Sequence, residues 1–320
     1  MAFRSLSEIL GTKYPFIQGG MANISNGAFA AAVSNAGAMG VIASGGFDLE
    51  GLAEQIRIAR SITDRPFGVN LMLKHPQADE IAELIVAERI PFITTGAGNP
   101  AKYVEAWKDA GCLVFPVVPS TALAQRMLKA GVDGVIAEGT ESGGHVGEMT
   151  TMALVPQVVA GVGPDVPVVA AGGIASGDQF IAALALGACG VQMGTCLLVS
   201  EECPIHVNYK QAIIEASDTD TLVTGRFAGS PVRQLKNHMT RAYLKEEKTG
   251  ATREDLGHFM IGALRKAVYD GDTRDGSLIA GQVAGQMKEI RPLADIFADI
   301  YGQAQEAIAR LDERAGIVLG

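Results

Sequence analysis

Residues 166–177 read VPVVAAGGIASG: a short β-branched run, a double glycine and the start of a helical pattern at Asp178. The run is apolar throughout and does not alternate, so both faces of its sheet are covered. The same strand–glycine–helix unit recurs along the first two thirds of the chain. The runs are PFIQGG from Pro15, MGVIAS from Met39, FGVNLML from Phe67, PFITTGAG from Pro91, CLVFPVVPS from Cys112, GVIAEG from Gly134, VPVVAAGGI from Val166 and GVQMGT from Gly190. Their starts lie 21 to 32 residues apart. The intervals carry helical spacing, such as Leu52, Ile56 and Ala59, or Ile81, Leu84 and Ile85. Strand alternating with helix at this period is the mark of βαβ units and a parallel sheet.

Eight units predict an α/β chain folded as a (β/α)8 TIM barrel over residues 1–200. An open dinucleotide-binding sheet would place G-x-G-x-x-G after its first strand, and the first turn here reads GGMANISNG. Residues 201–320 are mostly helical in pattern, as in Asp255–Tyr269 and Leu293–Leu311, with a loop-like DGDTRDGS between them. This C-terminal extension is expected to close over the barrel mouth.

Composition excludes several classes. Twenty-six Lys and Arg against 35 Asp and Glu give a net charge of -9, which argues against broad binding to nucleic acid. Mean hydropathy is +0.21, yet apolar stretches such as Phe180–Ala188 are far short of the about 20 residues a membrane span needs. Arg4, Glu8 and Lys13 interrupt the first residues where a signal peptide would be apolar, so a cytoplasmic protein is expected. Cys112, Cys189, Cys196 and Cys203 form no C-x-x-C pair and read as small buried hydrophobes with reduced thiols.

In a barrel of this kind the working groups follow the C-terminal ends of the strands, and phosphate sits after strands seven and eight. Strand seven ends in Ala171-Gly172-Gly173, with Gly177 just before the helix from Asp178; strand eight ends in Met193-Gly194-Thr195. Glycines let backbone N–H groups approach an anion, and a helix N-terminus favours it. The two turns together predict a phosphate cradle and hence a phosphorylated cofactor such as FMN. Gly19, Gly20, Met21 and Ala22 after strand one offer bare backbone to its ring, Asn70 on strand three an amide, and Glu138 the end of strand six. Taken alone, Asn70 and Glu138 fit a buried hydrogen-bond anchor as well as a ligand contact.

The loop after strand six carries Gly143-Gly144-His145-Val146-Gly147. Glycines around a histidine leave its backbone open to substrate, and an imidazole exchanges protons near neutrality. His145 is therefore the candidate catalytic residue, whereas His75, His206, His238 and His258 are read as structural. Lys210, Arg226, Arg233, Lys236, Arg241, Lys245 and Lys248 make the start of the extension locally basic. Such a run is either a solvated face or a dock for an acidic carrier or phosphorylated nucleotide.

IQGGMA, FGVNLML, TTGAGNP, PVVPS, VIAEGTESGGHVG, VVAAGGIASG, VQMGT, KNHMTR and AGQVAG occur in this order over nearly the whole chain. Together they resemble the bacterial enoyl-[acyl-carrier-protein] reductase II family, the FMN-dependent relatives of the nitronate monooxygenases. The resemblance implies an FMN-containing barrel that oxidises NADH or NADPH and reduces the trans-2,3 double bond of enoyl-acyl carrier protein in fatty-acid elongation. It also implies a homodimer, often stimulated by a monovalent cation. His145 aligns with the family's active-site histidine; Gly20, Met21, Asn70, Glu138, Gly143, Gly144, Gly173, Gly194 and Thr195 fall on its flavin-binding positions. The rival readings are a nitronate monooxygenase and a non-enzymatic flavin-binding module on the same barrel.

Overall fold

The computed structural model describes residues 5–315. Residues 1–4, including Arg4, and 316–320 at the end of the expected extension lie outside the described residues.

All eight expected runs are strands. They are β1 (Phe16–Gln18), β2 (Gly40–Ala43), β3 (Phe67–Met72), β4 (Phe92–Gly96), β5 (Leu113–Val118), β6 (Val135–Glu138), β8 (Val168–Ala171) and β9 (Gly190–Met193). A two-residue strand, β7 (Gly144–His145), lies between the last three, and β10 (Thr221–Thr224) and β11 (Val232–Leu235) follow them. The parallel order is β1-β9-β8-β6-β5-β4-β3-β2, and a bridge between Ile17 and Met39 brings β2 back to β1. The chain is a closed (β/α)8 barrel with a largely helical C-terminal region.

Side-chain alternation sorts the strands into two cores. Outward residues such as Phe16, Val69, Ile93, Val114, Val135, Ala170 and Val191 pack under the helices. Inward residues Ile17, Val41, Phe92, Phe115, Ile136 and Val169 fill the lumen with Leu6 and Leu10, from a short helix Leu6–Leu10. The lumen is thus plugged by apolar side chains at one level. One step further along each strand the inward positions turn polar: Asn70, Thr94, Glu138 and Gln192.

Local chemistry sets the helices that return the chain. Asn26, Asp48, Ser120 and Ser176 each accept a hydrogen bond from the third amide of the following helix, which satisfies a donor the helix leaves free. In the helix Leu49–Ile62 the buried residues are Leu52, Ile56 and Ala59, the apolar set expected from their spacing.

The C-terminal region departs from its expected pattern in two places. A hairpin, β10–β11, pairs with β7 in a separate antiparallel sheet. The stretch 255–269 is broken into Gly257–Met260 and Ala263–Arg265, because Gly262 adopts φ +73°. The long helix Leu293–Ala315 meets the expected one and packs on the barrel helix Gly177–Ala185. All four cysteines are buried free thiols, and burial pushes Cys189, Cys196 and Cys203 up to about 12. Among the described residues no helix is long and apolar enough to cross a membrane.

Candidate active site

The polar ring above the lumen plug is the floor of the site. Asn70 Nδ2 donates to Thr94 Oγ1 at 2.9 Å, across the register pair of β3 and β4. Glu138 stands at the end of β6, and burial pushes its carboxyl up to about 7 against the opposing effect of the Ser142 hydroxyl. Gln192 is buried, and its Oε1 accepts no hydrogen bond among the described residues. A buried acceptor without a donor costs about 1–3 kcal/mol, so this oxygen points to a missing partner in the mouth.

The loop after β1 crosses the floor and is tied down on both sides. Gly19 N–H donates to Met193 O at 2.8 Å. Gly20 lies so close to Asn70 that a Cβ there would fall 2.5 Å from the asparagine Cβ. The Ser25 hydroxyl accepts from Met21 N–H and from Gln18 Nε2, whose Oε1 in turn accepts from Val41 N–H. Met21 lies over Gly194, and Ala22 faces Gly45 after β2.

The exits of β8 and β9 are where the phosphate cradle is expected. Gly172 and Gly173 hold φ +93° and +74°, the left-handed region that side chains disfavour. Outside the strand ladders, the amides of Gly172, Gly173 and Gly194 donate to no backbone carbonyl or side chain among the described residues. The Thr151 hydroxyl fixes this turn: it lies 2.8 Å from Gly172 O, its shortest acceptor, with Ala171 O and Glu141 Oε2 also in reach of the same hydrogen, while Glu141 accepts from Thr151 N–H. Gly177 is not free in the same way: its N–H donates to Gln303 of the last helix at 3.1 Å, and Ser176 caps the helix it opens. Thr195 is buried, and its hydroxyl accepts from Gly281 N–H at 2.9 Å, so it anchors the C-terminal region.

His145 lies in the loop that leaves the polar end of β6, and long-range pairing orders it there. β7 joins the edge of β11, with Val232 opposite His145 and Arg233 opposite Gly144. Gly143 abuts Ala280–Gly281, and Gly147 abuts Pro119 after β5. Nε2 of the ring lies 3.3 Å from Ser230 Oγ. Surrounding protein, then the positive charges of Lys74 after β3 and of Arg253, hold the imidazole below its ordinary value of 6.5.

The expected basic run does not form one face. Lys210 is buried and its Nζ donates to Ser200 O at 2.6 Å. Arg233 is buried and its Nε donates to Thr140 O at 2.9 Å. Arg226 pairs with Glu148, which leaves Lys236, Arg241, Lys245 and Lys248 exposed. The side chains that sequence reasoning passed over are Gln18, Thr94, Gln192 and Ser230. The first three carried a readable signal, a polar residue inside an apolar strand; Ser230 carried none.

A family model described as nitronate monooxygenase matches residues 4–85 and 78–302. The chain belongs to the nitronate monooxygenase family. Within it, the solved structure of FabK from Thermotoga maritima superposes with a TM-score of 0.93 at 42% identity, covering 99% of this chain and 100% of that one. A probable nitronate monooxygenase of Staphylococcus saprophyticus is 31% identical over 95% of this chain and 98% of its own. A (3aS,4S,5R,7aS)-5-hydroxy-7a-methyl-1-oxo-octahydro-1H-indene-4-carboxyl-CoA dehydrogenase of Mycobacterium tuberculosis is 28% identical over 98% of both chains. Family membership makes the protein an oxidoreductase.

Proposed function

We propose that this oxidoreductase is an FMN-dependent, NAD(P)H-oxidising enoyl-[acyl-carrier-protein] reductase. The observation that carries the reading is a single imidazole, His145, ordered by strand pairing in the loop that leaves the polar end of the barrel, where the inward residues are Asn70, Thr94, Glu138 and Gln192. The residues present fit FMN. The Gly172, Gly173 and Gly194 amides suit its phosphate, and Gly20, Asn70, Glu138 and the partnerless Gln192 Oε1 suit a ring rich in donors and acceptors. FabK, an enoyl-[acyl-carrier-protein] reductase II, supports the substrate class at 42% identity, and the 28% identical relative, named for a carboxyl-CoA, lends support to a thioester substrate.

When bound, FMN supplies the hydride chemistry between NADH or NADPH and the trans-2,3 double bond. The protein's part is orientation and proton handling. Hydride arriving at Cβ leaves negative charge on the thioester oxygen and on Cα. His145 hydrogen-bonds that charge and delivers a proton to Cα, a contribution of typically about 10²–10⁴-fold. Residues 201–320 act in this reading as the cover of the mouth: Gly281 bonds Thr195, Gln282 N–H donates to Glu141 O, and the β10–β11 hairpin carries β7. A cytoplasmic homodimer working in fatty-acid synthesis on enoyl-acyl carrier protein, with a monovalent cation as activator, completes the proposal.

The test is anaerobic mixing. NAD(P)H must bleach the bound flavin, and crotonyl thioester must restore its colour. The second reading, nitronate oxidation, is favoured by the 31% identical relative. It predicts instead oxygen uptake driven by propyl nitronate, with no recovery of colour on adding the thioester.

A further inference from the structure

The hairpin β10–β11 does more than lend an edge to β7. Its tip, residues 225–230, is organised by one carboxylate: Glu247, 4% exposed, accepts from the amides of Gly225, Phe227 and Ala228. Gly225 adopts φ +77°, and a Cβ there would lie 2.3 Å from Ser230 O, so the tip closes tightly on the residue before the returning strand. Pro231 O then accepts from Val146 N–H, one residue beyond His145. Ser230 is thereby fixed by Glu247 from behind and by the β7–β11 register from the side. Its hydroxyl meets Nε2 of His145 at 3.3 Å and has no other partner among the described residues. Nδ1 of His145 has no hydrogen-bond partner among the described residues either.

We propose that Ser230 is the positioning residue of His145: its hydroxyl oxygen accepts from Nε2–H, so that Nδ1 is the nitrogen that carries the reaction's proton. This rests on the reading of His145 as the proton donor. In the step itself Nδ1, protonated from solvent, gives its proton to Cα; the Nδ1–H bond breaks as the Cα–H bond forms. The ring returns to its neutral form with the proton on Nε2 still donated to Ser230. A neutral ring has one N–H, and a fixed acceptor decides which nitrogen bears it. Lys74 and Arg253 add no acceptor, being cations, and the hairpin's other charged groups are engaged: Arg226 with Glu148, Glu247 with three amides, and Arg233 with Thr140 O.

The experiment is ¹⁵N NMR of the flavin-bound protein labelled only at its five histidines, with the His145 signals identified by their loss in His145→Ala. Above the ring's titration the wild type should show a single tautomer, protonated at Nε2. Ser230→Ala should show a mixture of tautomers and about tenfold to a hundredfold slower thioester reduction, as expected when a reacting group loses its alignment. Ser230→Thr, which keeps the hydroxyl, should restore both the spectrum and the rate. A wild-type ring protonated at Nδ1, or a Ser230→Ala spectrum identical to wild type, overturns the assignment. The spectra need no turnover: if His145→Ala still reduces thioester at the full rate, it is the reading of His145 as proton donor that fails, while the tautomer assignment stands or falls on the spectra.

Discussion

Replacing Glu138 by glutamine tests whether the barrel mouth holds a carboxyl in its neutral form. The carboxyl is raised from 4.5 to about 7, chiefly by burial. At 1.36 kcal/mol per pH unit, the interval from 4.5 to about 7 is worth at most about 3 kcal/mol, since the residue retains some exposure. The sign follows from proton counting. Below pH 4.5 the folded and unfolded carboxyls are both protonated, and the neutral group is buried at no ionisation cost. Between 4.5 and 7 the unfolded chain releases its proton while the folded chain keeps it. The native state then binds more protons, so stability falls as pH rises and levels off above about 7. The substituted amide has nothing to ionise. For a chain of 320 residues, an unfolding entropy of about 2.1 cal/mol/K per residue converts about 3 kcal/mol to roughly 4–5 °C. Melting curves of wild type and Glu138→Gln, both freed of flavin, should therefore draw apart by up to about 4 °C in favour of the variant between pH 4.5 and 8. All other titrating groups cancel in the difference. Two curves that stay parallel across this range would show that Glu138 ionises normally, and the neutral floor would be wrong.

Three further outcomes follow from the same geometry. His145→Ala should keep its yellow flavin and lose about 10²–10⁴-fold in thioester reduction at saturating NAD(P)H, read by stopped flow. Gly20→Ala places a methyl group 2.5 Å from Asn70 Cβ. The overpacking costs about 1–3 kcal/mol and displaces the Asn70–Thr94 hydrogen bond. Flavin should bind about ten to a hundred times more weakly, measured by fluorescence on dilution. Thr151→Val keeps the shape but removes the hydroxyl that holds Ala171 O and Gly172 O. At about 1 kcal/mol per lost hydrogen bond, flavin affinity should fall about tenfold while the secondary structure stays intact by circular dichroism.

The barrel was legible because its determinants are local. Most of the apolar runs are bounded by glycine or proline, helices such as Leu49–Ile62 and Gly177–Ala185 are opened by a capping side chain, Asp48 or Ser176, and Leu52, Ile56 and Ala59 mark a buried stripe. The polar floor was legible in the same way, since Asn70 stands out between Val69 and Leu71; Gln192 between Val191 and Met193 carries an equal signal. The basic run misled because charge along a sequence says nothing about direction. Lys210 and Arg233 point inward to carbonyl oxygens, where a cation satisfies buried acceptors. The hairpin escaped notice because TLVT and VRQL are short and mix polar with apolar residues. β7 has only two residues and exists through its pairing with Val232 and Arg233, far along the chain.

That contrast bears on how the site is built. A barrel alone would leave the loop 139–149 to its own hydrogen bonds, among them Thr140 N–H to Met149 O and Ser142 N–H to Gly139 O. Neither reaches His145. What orders the histidine comes from residues 225–285: β11 pairs with it, Arg233 holds Thr140 O, Gly281 bonds Thr195 and Gln282 bonds Glu141 O. Those contacts are themselves tied together by a buried network in which Ser277 donates to Gln234 and Gln234 to Thr224. Buried polar networks of this kind are stable only when every member is satisfied, so loosening one member disturbs the others. The floor of the site is therefore a property of strand order and survives changes in the C-terminal region. The placement of the imidazole is a property of that region, so on the proposed function substitutions along β11 should impair proton delivery before they disturb the strand order of the barrel.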